Sequence, residues 1–212
     1  MNALRPALML LLSALLMAIA PWSSHAQNVD PAYVIGKATI AGSGCPPGST
    51  AVVPSTDGQS VSIMFMSYAA STADGSRVRR SCNLAVPVRA RPGFSIGFFK
   101  VDFRGWAYVP DAANATARLS NEYFFSGQRG PLVDRWFARG YNDEIFESNE
   151  ITFESVVWSE CGSTTNFRIN TAVTVTKPKG LDDDVQVQID TADATVDGQV
   201  QVYVTYKACK KP

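Results

Sequence analysis

Histidine is nearly missing from this sequence: the only one among 212 residues is His25. Residues 1–26 have the features of an export signal, with Arg5 near the start, an apolar run over residues 7–20 and the small residue Ala26 at a cleavage position. We therefore expect cleavage after Ala26, which would remove His25. A mature chain without imidazole excludes Ser-His-Asp and Cys-His catalysis, and it lacks the commonest transition-metal ligand.

Long apolar runs and a strong net charge are also missing. The apolar run of the leader is shorter than the roughly 20 residues that span a bilayer, and no later run approaches that length. We therefore expect no transmembrane segment and a secreted protein. Arg5 is the only charged residue of the leader, so 18 basic and 19 acidic residues remain, for a net charge of −1. This balance gives no reason to expect nucleic acid as a partner.

Cysteine is scarce, and the four that occur are spread along the chain without a C-x-x-C spacing: Cys45, Cys82, Cys161 and Cys209. An even number of cysteines in an exported chain predicts disulfides, and four cysteines allow three pairings. We favour Cys45–Cys82 with Cys161–Cys209, because each of these bonds closes a local loop. A metal–thiolate site is the alternative, but export favours oxidation. We therefore expect neither a metal nor another cofactor.

Strand-like patterns recur along the rest of the sequence, and turn residues separate them. Runs rich in β-branched residues alternate well near the end of the chain, for example over residues 166–176 and 200–206. Many strands with few helical signals predict an all-β fold, an antiparallel β-sandwich that forms a single domain over residues 27–212 and is stapled by two disulfides. A short helix is expected only at residues 131–139, where Pro131 suits a first helical turn.

The most informative stretch runs from Phe94 to Gln128, where two long strands are readable. In its first part the apolar residues occupy odd positions, such as Val101 and Phe103. At Gly105 the pattern changes, because the next large residues, Trp106 and Tyr108, occupy even positions. A glycine at such a change predicts a β-bulge that turns these two aromatic side chains outward, beside Arg104.

Short signatures follow one another through the chain, and each of them is weak on its own. They are Gly44-Cys45-Pro46, Cys82-Asn83-Leu84, Arg104-Gly105-Trp106, Tyr123 to Gln128 (YFFSGQ), Trp158-Ser159-x-Cys161-Gly162 and Tyr206-x-x-Cys209. In this order the series resembles the secreted family catalogued as domain of unknown function 4360, over about residues 42–209. The last signature has Tyr206 where relatives are expected to have tryptophan. The resemblance implies an exported, disulfide-stapled β domain, and it carries over no catalytic residues.

Aromatic residues provide the first candidate site. Trp106, Tyr108, Tyr123 and Trp136 could form a flat platform for sugar rings, or they could simply fill the core, where such side chains bury large areas. Of the four, Trp106 and Tyr108 are the best candidates for the platform, because the predicted bulge turns them outward.

Arginine provides the second candidate site. Between Arg77 and Arg104 there are seven basic residues and one acidic residue, Asp102. The planar guanidinium group suits carboxylate, sulfate or phosphate, so Arg77, Arg79, Arg80 and Arg104 are candidates for binding an anionic ligand. Ordinary solvated faces are the alternative.

Acidic residues cluster later in the chain, in two groups without a recognised motif. The first group supplies carboxylates for a glycosidase-like site, such as Glu144, Glu150 and Glu154. The second group, Asp182-Asp183-Asp184 with Asp190, Asp193 and Asp197, supplies oxygen ligands for calcium, but it lacks the EF-hand order. A solvated acidic loop is the simpler interpretation of both groups.

These patterns favour a secreted, non-enzymatic, monomeric β-sandwich that acts at the cell exterior and binds a glycan or an anionic surface polymer. The candidate ligand-binding residues are Arg77, Arg79, Arg80, Arg104, Trp106 and Tyr108. The alternative is a carboxylate-dependent polysaccharide hydrolase or lyase.

Overall fold

The computed structural model describes residues 32–55, 60–128, 130–150, 156–189 and 199–209. These residues form two antiparallel sheets and one short 3-10 turn, Thr72–Asp74. In the part of the chain so described, no helix is long and apolar enough to cross a membrane.

Sheet 1 contains six strands, three of which are long and central. In chain order its strands are β1 (Tyr33–Ile35), β2 (Thr39–Ala41), β6 (Arg77–Ala90), β8 (Thr116–Phe125), β9 (Leu132–Phe137) and β11 (Thr164–Thr176). They lie side by side in the order β1-β6-β11-β8-β9, and β2 also pairs with β6. The all-β, antiparallel fold that the sequence predicts is therefore confirmed.

Sheet 2 contains seven strands arranged around the long strand β7. In chain order its strands are β3 (Thr50–Pro54), β4 (Ser60–Phe65), β5 (Ala69–Ser71), β7 (Phe94–Tyr108), β10 (Asn142–Glu150), β12 (Gln186–Gln188) and β13 (Gln199–Ala208). One edge of β7 pairs with β10, while its other edge pairs first with β13 and then with β12.

The core lies between the two sheets and follows directly from the alternation of the strands. In β8 the alternate residues from Ala117 to Phe125 are buried, and the residues between them are partly exposed. The largest fully buried side chains include Tyr68, Tyr123, Phe65, Phe98 and Phe103. Burial of apolar surface of this kind is the main force that holds such a sandwich together.

Both disulfides have the pairing that the sequence predicts. Cys45 bonds to Cys82, and Cys161 bonds to Cys209, with Cα–Cα distances of 5.4 and 6.0 Å. Cys45 and Cys82 are fully buried, whereas Cys161 is exposed. The first bond is therefore part of the core, and the second lies at the surface.

The helix predicted at residues 131–139 is wrong, because residues Leu132–Phe137 form strand β9. This strand pairs with β8 so that Phe137 lies opposite Ala117 and Leu132 lies opposite Glu122. The pairing satisfies backbone groups of β8 that would otherwise lie at a sheet edge. That requirement outweighs the local preference of Pro131 for a first helical turn.

The bulge predicted at Gly105 is also wrong in its position. The ladder between β7 and β10 runs without interruption from Lys100 to Tyr108. The register instead shifts between β7 and β13, where Tyr203 faces Lys100 but Val204 faces Phe98. Gly105 serves a close approach, since a Cβ there would collide with the carbonyl oxygen of Gln188 on β12.

Several sequence-based predictions lie outside the described residues. These are the leader over residues 1–26 and the side chains of Glu150, Glu154, Asp190, Asp193 and Asp197. The leader, its cleavage and the single-domain boundary at residue 27 therefore stay predictions.

Candidate functional site

The six candidate binding residues do not form one site. Arg77 and Arg79 are exposed on the outer face of sheet 1, because they alternate with the buried Val78. Arg104, Trp106 and Tyr108 lie on the outer face of sheet 2. The sandwich core separates these two groups, so the single arginine-rich surface that the sequence suggests is divided.

Arg80, the remaining candidate, is engaged within the protein. Its Nη2 atom lies 2.8 Å from Oδ2 of Asp74. Asp74 belongs to the 3-10 turn that precedes β6. The guanidinium of Arg80 thus ties this turn to the strand, and it belongs to neither outer face.

Trp106 and Tyr108 form a pair of parallel rings on the outer face of sheet 2. Their ring centroids are 6.2 Å apart and their planes differ by 10°. The alternation of β7 explains this position, because Phe103, Gly105 and Ala107 point inward and the residues between them point outward. The outward orientation that the sequence predicts for these two rings is thus present without a bulge at Gly105.

Polar side chains flank the two rings on both neighbouring strands. On β10, Glu144 lies opposite Trp106 and Asn142 lies opposite Tyr108. On β12, Gln188 and Gln186 occupy the corresponding positions. Directly opposed residues in antiparallel strands have Cβ atoms about 5 Å apart. Carboxylate and amide groups therefore stand beside both edges of the ring pair.

Arg104, two residues before Trp106 on the same face of β7, continues this surface. Arg104 is paired with Phe146 of β10, and its guanidinium carbon lies 5.2 Å from the centroid of the Phe146 ring. The side chain of Phe146 is 60% exposed although it is large and apolar. We call the surface of these eight residues the aromatic face; they are Arg104, Trp106, Tyr108, Asn142, Glu144, Phe146, Gln186 and Gln188.

A polar network of Lys100, Asp102, Ser148 and Tyr203 adjoins the aromatic face. Ser148 donates a 2.7 Å hydrogen bond to the buried carboxylate of Asp102, and Nζ of Lys100 lies 3.3 Å from the same carboxylate. Lys100 also lies over the ring of Tyr203, 4.8 Å from its centroid. Burial raises the pKa of Tyr203, and the Asp102 carboxylate raises it further. These contacts join β7, β10 and β13 next to the aromatic face.

Strand β10 is also held firmly beside the rings. Tyr141 donates a 2.7 Å hydrogen bond to the carbonyl oxygen of Glu144, and the Asp143 carboxylate accepts a 2.8 Å hydrogen bond from the Glu144 amide. Burial, with the nearby Asp143 carboxylate, raises the pKa of Tyr141. The backbone next to Trp106 is thus fixed by two local hydrogen bonds.

A polar cleft lies at one end of the sandwich, and two of the sequence signatures line it. It occupies about 430 Å³ between the turn at Ser126–Gln128 and the segment around Ser159 and Glu160. Gln128 donates a 3.1 Å hydrogen bond to the carbonyl oxygen of Trp158, which joins these two segments. Because this bond fixes the cleft wall, the two signatures have a clear structural role there.

The acidic residues have separate environments. Glu147 pairs with Arg135 at 3.7 Å, and Asp184 pairs with Lys177 at 2.7 Å. The hydrogen bond from Lys177 holds the pKa of Asp184 below its usual value. Among the described residues, no three His, Cys, Asp or Glu side chains are grouped so that they could hold a metal ion.

Sequence reasoning identified the two rings and Arg104 but missed the rest of the aromatic face. Asn142, Glu144 and Phe146 lie in or next to a segment that the sequence marks only by its acidic residues. Gln186 and Gln188 carry no sequence signal for a site. No local pattern marks these residues, because their position beside the rings depends on pairing between strands far apart in the sequence.

The fold and its two bonds define an antiparallel, disulfide-stapled β-sandwich. The chain belongs to the family described as domain of unknown function DUF4360, whose profile matches residues 31–209. A curated relative, an uncharacterized secreted protein of Arthroderma benhamiae, is 30% identical over 156 residues, which is 72% of this chain. This chain covers 62% of that relative's length. With two disulfides and a secreted relative, this protein is itself a secreted one.

Two solved structures match the chain distantly and share little sequence with it. TmCBM61, in complex with β-1,4-galactotriose, is 13% identical with a TM-score of 0.29, and the match covers 80% of this chain and 88% of that one. A family 11 carbohydrate-binding module from Clostridium thermocellum, in complex with a β-1,3-1,4-mixed-linked tetrasaccharide, is 10% identical with a TM-score of 0.18, and the match covers 81% and 86%. These distant likenesses carry no argument about function.

Proposed function

We propose that the protein is a non-enzymatic module that binds a neutral glycan at the cell exterior, through the aromatic face. The parallel, partly exposed rings of Trp106 and Tyr108 on the outer face of sheet 2 are the observation that carries this proposal. The apolar face of a sugar ring packs against a flat aromatic surface, and the polar rim of the sugar needs hydrogen-bonding partners beside it. The rings supply the first requirement.

The polar residues of the aromatic face supply the second requirement. Glu144 and Gln188 flank Trp106, while Asn142 and Gln186 flank Tyr108. Carboxylates accept and amides both accept and donate, so together they satisfy hydroxyl groups in either direction. Binding would thus combine stacking in the centre with hydrogen bonds at the rim, as specific polar ligands require.

The charge of the aromatic face favours a neutral ligand over an anionic one. Glu144 is exposed and lies directly beside Trp106, so an anionic sugar stacked on this ring would meet a like charge. Arg104 contributes one positive charge, but its guanidinium already lies over Phe146. The two charges offset each other across the face.

Binding to immobilised neutral polysaccharides tests this proposal. Cellulose, β-1,3-glucan, β-1,4-galactan and chitin would be compared, using the wild type and the variants Trp106→Ala and Tyr108→Ala. We expect at least one polysaccharide to retain the wild type, and each variant to bind it about tenfold more weakly or worse, as for central aromatic anchors of other interfaces.

The matched control is Trp136→Ala, which removes an exposed tryptophan from the other sheet. This control should bind like the wild type. Equal losses in all three variants, or no retention on any neutral polysaccharide, would contradict the proposal. Released reducing ends in the same incubations would instead support the hydrolase or lyase alternative.

A further inference from the structure

A second surface, on the opposite side of the sandwich, combines arginines with threonines in a regular array. On the outer face of sheet 1, Thr174 of β11 lies between Arg79 of β6 and Arg118 of β8. Two residues further along β11, on the same face, Thr176 lies between Arg77 and Thr116. We call these six residues the arginine–threonine array; they are Arg77, Arg79, Thr116, Arg118, Thr174 and Thr176.

The side chains of the array all face the solvent side of the sheet. Arg77 and Arg79 are exposed, and the inward positions between the array residues are held by Val78, Ala117 and Val175, which are buried. Residues of one strand that share a face are about 6.6 Å apart, and neighbouring strands are about 4.8 Å apart. The three guanidinium groups are therefore close enough together to contact a single ligand.

The positive charge of the array is largely uncompensated. Within the described part of the chain, no carboxylate lies at ion-pair distance from Arg77 or Arg79, while Arg118 binds both carboxylate oxygens of Asp134. This bidentate contact, together with the ring of Trp136 at 5.2 Å, holds the Arg118 guanidinium in place. One carboxylate thus opposes three guanidinium groups.

The shape of the array suits an extended chain. The middle strand β11 presents the short side chains Thr176, Thr174 and Ala172, and the longer Arg79 and Arg118 flank Thr174 on both sides. Ala172 lies between Ser81 and Ser120, so the strip continues with short side chains. We call this strip of β11 the trough; Arg79 and Arg118 stand on its two sides. The hydroxyl groups of Thr174 and Thr176 can donate hydrogen bonds to ligand oxygens that also contact the guanidinium groups.

We propose that the arginine–threonine array is a second binding site, which takes a linear anionic polysaccharide carrying sulfate or carboxylate groups. Guanidinium groups bind these planar or tetrahedral anions through paired hydrogen bonds. A polysaccharide fits better than a membrane surface, because the floor of the trough is polar and the large apolar side chains exposed near it lie beside it, on β9, where Trp136 packs against Arg118. The site is separate from the aromatic face, so the protein would join two polymers.

Retention on heparin and on polygalacturonate tests this site and distinguishes sulfate from carboxylate ligands. We expect the wild type to bind at least one of them at low salt and to elute as salt screens the charges. The variant Arg79→Gln should bind about fivefold more weakly, in the range of a few exposed charge-assisted contacts. Trp106→Ala should leave this binding unchanged.

The matched control is Arg89→Gln, which removes the same charge from the same face of β6, ten positions and roughly 33 Å further along. This control should bind like the wild type. The variant Thr174→Val keeps the charge and shape of the trough floor but removes a hydroxyl, and it should also weaken binding. Unchanged melting temperatures would show that all three variants are folded.

Three results would overturn the proposal. Equal losses for Arg79→Gln and Arg89→Gln would show that only net charge matters. Full binding by Thr174→Val would show that the trough does not contact the ligand. Binding to vesicles of phosphatidylserine without binding to either polysaccharide would identify a membrane surface as the ligand.

Discussion

The phenolic oxygen of Tyr68 lies 3.2 Å from the hydroxyl oxygen of Thr171, to which it donates a hydrogen bond inside the core. Tyr68 directly precedes β5 of sheet 2, and Thr171 belongs to β11 of sheet 1, so this bond joins the two sheets. Both residues are buried. A polar contact in an apolar interior fixes how the sheets are aligned, because either group would be costly to bury alone.

The first prediction concerns this bond. In Tyr68→Phe the ring remains, but the hydroxyl of Thr171 loses the phenol that donates to it. We expect the free energy of unfolding to fall by about 1–3 kcal/mol, measured by urea denaturation. Tyr206→Phe is the control, because Tyr206 is exposed, and it should change little. Equal stabilities of Tyr68→Phe and the wild type would contradict this role.

The second prediction concerns the pH dependence of stability. Burial raises the pKa of Tyr68 above its ordinary value of 10.0. The folded state thus keeps the proton at a pH where the unfolded state loses it, so stability falls as pH rises above the unfolded pKa and is unaffected by this group below it. Denaturation from about pH 8 to 11 should show a steeper fall for the wild type than for Tyr68→Phe. If the stabilities of the wild type and Tyr68→Phe fell in parallel with pH, the raised pKa of Tyr68 would be contradicted.

The third prediction concerns Gly105, where a Cβ would collide with the Gln188 carbonyl oxygen and approach Ile189. In Gly105→Ala, β12 must move away from β7. We expect a loss of about 1–3 kcal/mol of stability, as for other overpacked sites, together with weaker binding of neutral glycan, because Gln188 flanks Trp106. Thermal denaturation and the polysaccharide assay measure the two effects. A fully stable variant would show that β12 is not fixed here.

The fourth prediction concerns the order in which the disulfides are reduced. Cys161 is exposed, whereas Cys45 and Cys82 are fully buried, and thiol–disulfide exchange requires access to sulfur. A mild reductant should therefore open Cys161–Cys209 first. This bond joins residues 48 positions apart, so its loss should cost roughly 4 kcal/mol in the chain-entropy description. Alkylation and mass spectrometry would follow the reaction, and earlier labelling of Cys45 would contradict this order.

The sequence predicted the strands whose alternation is strong, and it failed where pairing decides the structure. Strands β8 and β11 alternate clearly, so burial alone determines which side faces the core. Strand β10 has the polar sequence NDEIFESNE, and strand β9 follows a proline. Both become strands because a neighbouring strand offers unpaired backbone groups, which is a tertiary effect that no local pattern records.

The candidate site, too, was predicted only where its residues share one strand. Trp106, Tyr108 and Arg104 were identified because they share one strand. Glu144 and Gln188 were not, since each lies at least 36 positions away and enters the site only through strand register. The arginine–threonine array was recognised in part for the same reason: Arg77 and Arg79 share β6, but Arg118 comes from another strand.

The indole N–H signals of the tryptophans give the most direct test of the central claim. Of the four tryptophans, Trp22 lies in the predicted leader, so a protein produced from Gln27 onward has three: Trp106, Trp136 and Trp158. They lie on the aromatic face, on the other sheet and beside the polar cleft. In an NMR titration with cellohexaose, laminarihexaose and galactohexaose, we predict that only the Trp106 signal shifts with at least one of them. Shifts of Trp136 or Trp158 with an unchanged Trp106 signal would contradict the account.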